Sequence, residues 1–167
     1  MNTSREIIKK LNLQPHPEGG YFSEIYRSNE IIDEHSLPER YEGNRTFSTS
    51  IYFLLGGGQK SHLHKLKSDE TWHFYIGSPI LIHTIDEDGA YKIYRLGNKL
   101  DEGESLQITI PRGVWFGAEV VDKSLFSLIG CTVAPGFEFT DFELGEREDL
   151  LLKFPAHAKI IELLTKG

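Results

Sequence analysis

The chain has 167 residues, 39% hydrophobic and 26% charged, a balance that describes a globular fold and excludes a disordered one. That length suits one domain, residues 1–167, with a sizeable core. With 25 acidic against 18 basic residues the formal net charge is −7, which argues against a nucleic-acid partner, since neutralising phosphates needs a clustered basic surface.

The single cysteine, Cys131, excludes an intramolecular disulfide and fits a reducing compartment. It sits in the apolar run SLIGCTVA with no basic residue nearby, so it reads as packing. The N-terminal MNTSREIIKKLNL lacks an apolar core of signal-peptide length, and no segment approaches the ~20 apolar residues needed to span a bilayer. The expected location is the cytoplasm, with no membrane partner.

In chain order, Thr3 and Glu6 fit a capping box, followed by Ile7, Ile8 and Leu11 at helical spacing. This predicts a short helix over about 3–12. HPEGG (16–20) then reads as a turn, its glycines supplying positive φ, in preference to a binding role for Glu18. From about 21 to 140 the segments YFSEIYRS, TFSTSIYFLL, TWHFYI, ILIHTI, YKIYRL, SLQITI, VWFGAEVV and LFSLIGCTVA are rich in β-branched and aromatic residues. Turn-forming stretches separate most of them, so the centre is all-β, a sandwich or barrel. Helices return over about 146–165, one ending near Lys153 and one starting at Pro155, with Ile160, Ile161, Leu163 and Leu164 as its buried face.

One stretch stands apart. Seven histidines in the chain would place about 0.5 in a thirteen-residue window by chance, yet 61–73 holds His62, His64 and His73 together with Asp69 and Glu70. On a strand, the two-residue spacing puts His62 and His64 on one face, and a hairpin would bring Glu70 to it. Two imidazoles and a carboxylate suit a divalent metal such as Fe, Mn, Ni or Zn. The same groups could form a metal-free acid–base pocket. His73, three residues from Glu70, should face the other way and bond to a neighbour.

The spacing Gly56, His62-x-His64, Glu70, Gly77 resembles the first motif of the cupin superfamily, with a gap of five residues before Glu70 where three or four are usual. Asp69 satisfies the shorter gap but not the spacing to Gly77. In the second motif, Gly103 precedes Pro111-x-Gly113, and Phe116 stands where a metal-ligating histidine is normal. More narrowly, HPEGGYFSEIYRS (16–28), STSIYFLL (48–55), SDETWHFYIGSP (68–79), PRGVWFGAE (111–119) and GCTVAPGFEFTDFELG (130–145) resemble the uncharacterised branch called cupin family 5. The resemblance implies a double-stranded β-helix, a jelly-roll barrel, usually a homodimer. In architecture it is similar to nucleotide-sugar 3,5-epimerases and germins, and it supplies no activity.

Three readings follow. In the first, a metal-independent isomerase or epimerase acts on a sugar or nucleotide-sugar, with His64 as base and Glu70 orienting it or acting as the paired acid. His62 and Arg45 would hold the substrate anion. In the second, His62, His64 and Glu70 bind one divalent metal. In the third, the barrel binds a small polar metabolite without turning it over. Trp72, Phe74, Trp115, Phe116, Phe137 and Phe139 read most simply as core aromatics, with Trp72, Phe74 and Phe116 the candidates to line the pocket. Arg27, Arg45 and Arg112 could clamp an anion, Arg45 first among them.

Overall fold

The computed structural model describes residues 3–167; Met1 and Asn2 lie outside the described residues. Among these residues the strands are β1 Gln14–Pro15, β2 Tyr21–Arg27, β3 Ile31–Ile32, β4 Arg45–Thr46, β5 Thr49–Gly56, β6 Lys60–Leu66, β7 Asp69–Gly77, β8 Ile80–Ile85, β9 Tyr91–Leu96, β10 Gln107–Ile110, β11 Trp115–Val120, β12 Phe126–Ala134 and β13 Phe142–Leu144. They pair antiparallel into a six-stranded sheet, β1-β2-β5-β12-β7-β10, and a five-stranded sheet, β13-β6-β11-β8-β9, with β3 and β4 as a separate ribbon. The strand count and turn spacing predict a sandwich or barrel, and the structure is the jelly-roll barrel that the cupin resemblance implies.

The core between the sheets contains Phe53, Trp72, Ile82, Phe116 and Ile129. The helices cover the outer faces. α1 (Ser4–Lys10) begins with the expected box: Thr3 N–H donates to Glu6 Oε2 at 2.7 Å, and Glu6 N–H donates to Thr3 Oγ1 at 3.3 Å. It seats Ile7 against Leu54 and Leu128 of the six-stranded sheet. α2 (Arg147–Lys153) and α3 (Ala158–Leu164) place Leu150, Ile161 and Leu164 on Leu63, Ile85 and Trp115 of the other sheet. Leu163 departs from the expected buried face and is exposed, because two residues on from Ile161 it has turned past the packed stripe.

Register decides which side chains reach the interior. On β7, Glu70 pairs with Val133, Trp72 with Cys131 and Phe74 with Ile129, a set that faces inward from one end of the barrel toward its middle. His73 faces out, as its spacing predicts, with Nδ1 3.1 Å from Gln107 Oε1 and Nε2 3.1 Å from Thr132 Oγ1.

Candidate functional site

On β6 the expected alternation fails. Phe116 pairs with His64 while Ala118 pairs with Ser61, so three residues of β6 oppose two steps of β11. This is a β-bulge, and the extra residue breaks the period of two. Ser61 and His64 point inward together, and Leu63 packs outward under the C-terminal helices. His62 therefore does not share the face of His64: it is absent from the cavity lining, and its Nδ1 lies 2.6 Å from the Glu18 carbonyl.

That carbonyl belongs to the HPEGG loop, which folds onto the barrel instead of simply leading into β2. His62 N–H also donates to Glu18 O at 2.7 Å. Gly19 makes the approach possible: at φ +111°, a Cβ there would run into the Lys60 carbonyl oxygen. The loop delivers His16 and Glu18 into a cavity at one end of the barrel. Neither residue was expected there. The available signal was two titratable side chains flanking Pro17 just before a glycine pair.

The cavity is built around Glu18. Its Oε1 accepts from Ser61 Oγ at 2.8 Å, while Oε2 lies 3.2 Å from His64 Nε2 and 3.4 Å from His16 Nδ1. His64 Nδ1 is 2.8 Å from the His62 carbonyl, which only accepts, so Nδ1 carries hydrogen and a neutral Nε2 presents its lone pair. His16 Nδ1 accepts from Glu18 N–H at 3.3 Å and is a lone-pair atom as well. Two such nitrogens facing one carboxyl oxygen require a proton between them. Burial agrees: it pushes the Glu18 carboxyl above the usual carboxylate range and holds both imidazoles below the usual histidine range. Geometry and burial together favour a proton shared within this array, held by Glu18.

Glu70 faces this array from the opposite sheet. Burial raises its pKa to about 7; His64 pulls it down, Glu18 adds to the rise, and Trp72 and Cys131 lower it. Asp69, the other candidate carboxylate, is exposed and accepts from Arg112 N–H at 2.8 Å, so Glu70 is the one in the cavity.

The other expected ligand-binding residues sit elsewhere. Arg45 is buried away from the cavity: Nε and Nη2 bond Asp141 at 2.7 and 2.6 Å, and Nη1 serves the carbonyls of Glu42, Gly43 and Asn44. Trp72, Phe74 and Phe116 belong to the hydrophobic core and do not line the cavity. Phe22, Phe53, Phe137, Phe139 and Phe142 line it instead.

A family model described as "Cupin superfamily (DUF985)", Cupin_5, matches residues 5–145. The chain belongs to this family. It is 29% identical over 172 residues to an uncharacterized protein of Saccharomyces cerevisiae, YML079W, covering 95% of this chain and 83% of that one. Solved relatives include protein SO0799 from Shewanella oneidensis, 38% identical with a TM-score of 0.91 over 100% of this chain and 99% of that one. A hypothetical protein from Leishmania major is 36% identical with a TM-score of 0.90, over 99% and 100% of the two chains. Oxalate decarboxylase from Bacillus subtilis, 16% identical with a TM-score of 0.55 over 90% of this chain and 36% of that one, shares the cupin fold alone.

The cupin fold implies a metal, and the donors of this Cupin_5 chain do not fit one. The bulge takes His62 off the inner face, and Phe116 packs its ring 4.1 Å from that of His64 where a further ligand would stand. Among the described residues no three His, Cys, Asp or Glu side chains are arranged to hold a metal ion.

Proposed function

We propose that this cupin binds a small polar metabolite in the barrel cavity and moves a proton on it without a metal, as isomerases and epimerases do. The observation that carries this reading is the placement of a neutral base and a poised acid on opposite walls. His64 is on β6 of one sheet and Glu70 on β7 of the other, and both line the same cavity. A neutral imidazole and a carboxyl group with a pKa of about 7 suit removal of a proton from one face of a carbon and delivery to the other. By passing its proton to His16, Glu18 would free His64 Nε2 to take the substrate proton and would then stand as a carboxylate beside the imidazolium. His62 is a positioning residue here, holding Glu18 through its carbonyl.

A sugar suits such a cavity better than a nucleotide-sugar, whose diphosphate needs cations, because Arg45 is buried against Asp141 and does not line the cavity. The test is incubation with small sugars and hydroxy-carbonyl metabolites in D₂O, followed by NMR. The expected outcome is deuterium entering at carbon, lost in His64→Ala and Glu70→Gln while ligand still binds. A metabolite that binds and stays unexchanged over prolonged incubation would sink proton transfer and leave a binding module.

A further inference from the structure

The mouth of the cavity restricts what can enter. Among the described residues, Arg27 is the one Lys or Arg side chain in the lining, against the four acids Glu18, Glu24, Glu70 and Glu138. Four of the five N–H groups of Arg27 are taken. Its Nε and Nη2 hold both oxygens of Glu24 at 3.0 and 2.9 Å, Nη1 holds Glu138 at 2.7 Å, and Nη2 also donates to the Phe137 carbonyl at 3.0 Å. The rim therefore offers an incoming anion a single N–H, the second on Nη1, and leaves one carboxylate in excess. A bidentate Arg–carboxylate pair is the arrangement least easily given up to a competing anion.

Beside this rim stand three phenyl rings at nearly right angles to one another. Phe137 and Phe139 meet at 82° with centroids 5.0 Å apart, Phe139 and Phe142 at 75° and 6.2 Å, and Phe137 and Phe142 at 68° and 6.4 Å. Three mutually perpendicular rings form the corner of a box. His16 stacks on Phe139 from within the site, at 6.0 Å and 29°. Phe139 is nonetheless 53% exposed, so the corner is open on one side. Ring faces carry negative potential, and a corner of them beside surplus carboxylate attracts an organic cation, whose charge is diffuse and weakly hydrated.

We infer that the ligand of this cavity carries a positive charge, and that an ammonium group seats in the corner formed by Phe137, Phe139 and Phe142, beside the Glu138 carboxylate. This rests on the cavity being the ligand site, as proposed above, and not on the proton-transfer chemistry. The ligand class is then a small amine or amino sugar, and phosphorylated or carboxylate metabolites are turned away at the rim.

Tetramethylammonium, tert-butanol and pivalate are close in shape and differ in charge, and none has a carbon-bound proton that the site could exchange. Titration of the full chain with each, followed by the aromatic NMR signals, should give tetramethylammonium an affinity about tenfold above tert-butanol, with pivalate weakest. Phe139→Leu keeps the apolar bulk and removes the ring, and should cut tetramethylammonium affinity at least about threefold while leaving tert-butanol unchanged. Glu138→Gln frees an Arg27 donor and should weaken the cation while strengthening pivalate; both variants lie at the exposed rim, away from the core. Pivalate binding as tightly as tetramethylammonium in the parent, no binding of tetramethylammonium, or cation affinity indifferent to Phe139→Leu would each overturn the inference. The two readings fail separately. Cation preference without exchange in any metabolite removes proton transfer alone, whereas exchange into a metabolite with the cation order absent removes the charge preference alone.

Discussion

A proton at Glu70 changes both the chemistry of the site and the stability of the protein. In the unfolded chain this carboxyl titrates near 4.5, and in the fold near 7, because burial opposes its charge. The folded protein therefore holds the proton more tightly. The contribution favours folding fully below about pH 4.5 and is lost as the pH rises to about 7, a loss of roughly 3 kcal/mol. Glu18, also raised by burial, acts in the same direction. His16, His64 and His83 are lowered by burial and act in the opposite one, weakening the fold as pH drops through the histidine range. The parent's pH profile is a sum of these, and Glu70→Gln isolates one of them. Thermal melts of both proteins from pH 5 to 8.5 should show the variant gaining on the parent as pH rises to about 7, then a constant offset. An offset that does not change with pH would mean Glu70 is charged throughout.

At the scale of elements, the mouth depends on how two irregular segments are fastened. The segment carrying Phe137, Phe139 and Phe142 leads into β13, a three-residue edge strand paired with the end of β6. Asp141 anchors it through Arg45 of β4, both side chains at most 3% exposed. Taking one partner from a buried pair strands the other charge, at a cost of about 3–5 kcal/mol. Arg45→Met should lose that much in urea denaturation, and adding Asp141→Asn should recover part of it. If Arg45→Met leaves the unfolding midpoint in place, the pair does not hold the mouth. The HPEGG loop is fastened differently, by the two His62 bonds to Glu18 O and by the close seat of Gly19 on β6. Each fastening ties a short segment to a strand far away in sequence, which is why neither was visible in local periodicity.

For the whole molecule, the outer face of the six-stranded sheet is covered by α1 at one end only. Beyond it, register places Tyr26, Tyr52 and Tyr75 on that outer face, with Tyr26 54% and Tyr75 43% exposed. Aromatic residues of this kind are enriched where sheets meet a partner, and a second copy of the chain is the expected occupant. Light scattering at micromolar concentration should report twice the chain mass, and Tyr26→Asp with Tyr75→Asp should bring it to the monomer. A parent that is already monomeric ends this reading. No helix of the described residues is long and apolar enough to cross a membrane.

Local sequence determined the β centre and the capped first helix, because each follows from alternation, spacing or a short motif. The cupin resemblance put Phe116 where a further ligand would stand and favoured Glu70 over Asp69 without deciding between them. The tertiary structure alone decided the rest. One extra residue in β6 turned His62 from a partner of His64 into a support for Glu18, and a bulge leaves no mark on residue types. Arg45 went to Asp141, 96 positions away, and Arg27 to Glu138, 111 away. Ion pairs of that kind are set by chain closure, and the charge of a site is known only once every partner of its arginines has been placed.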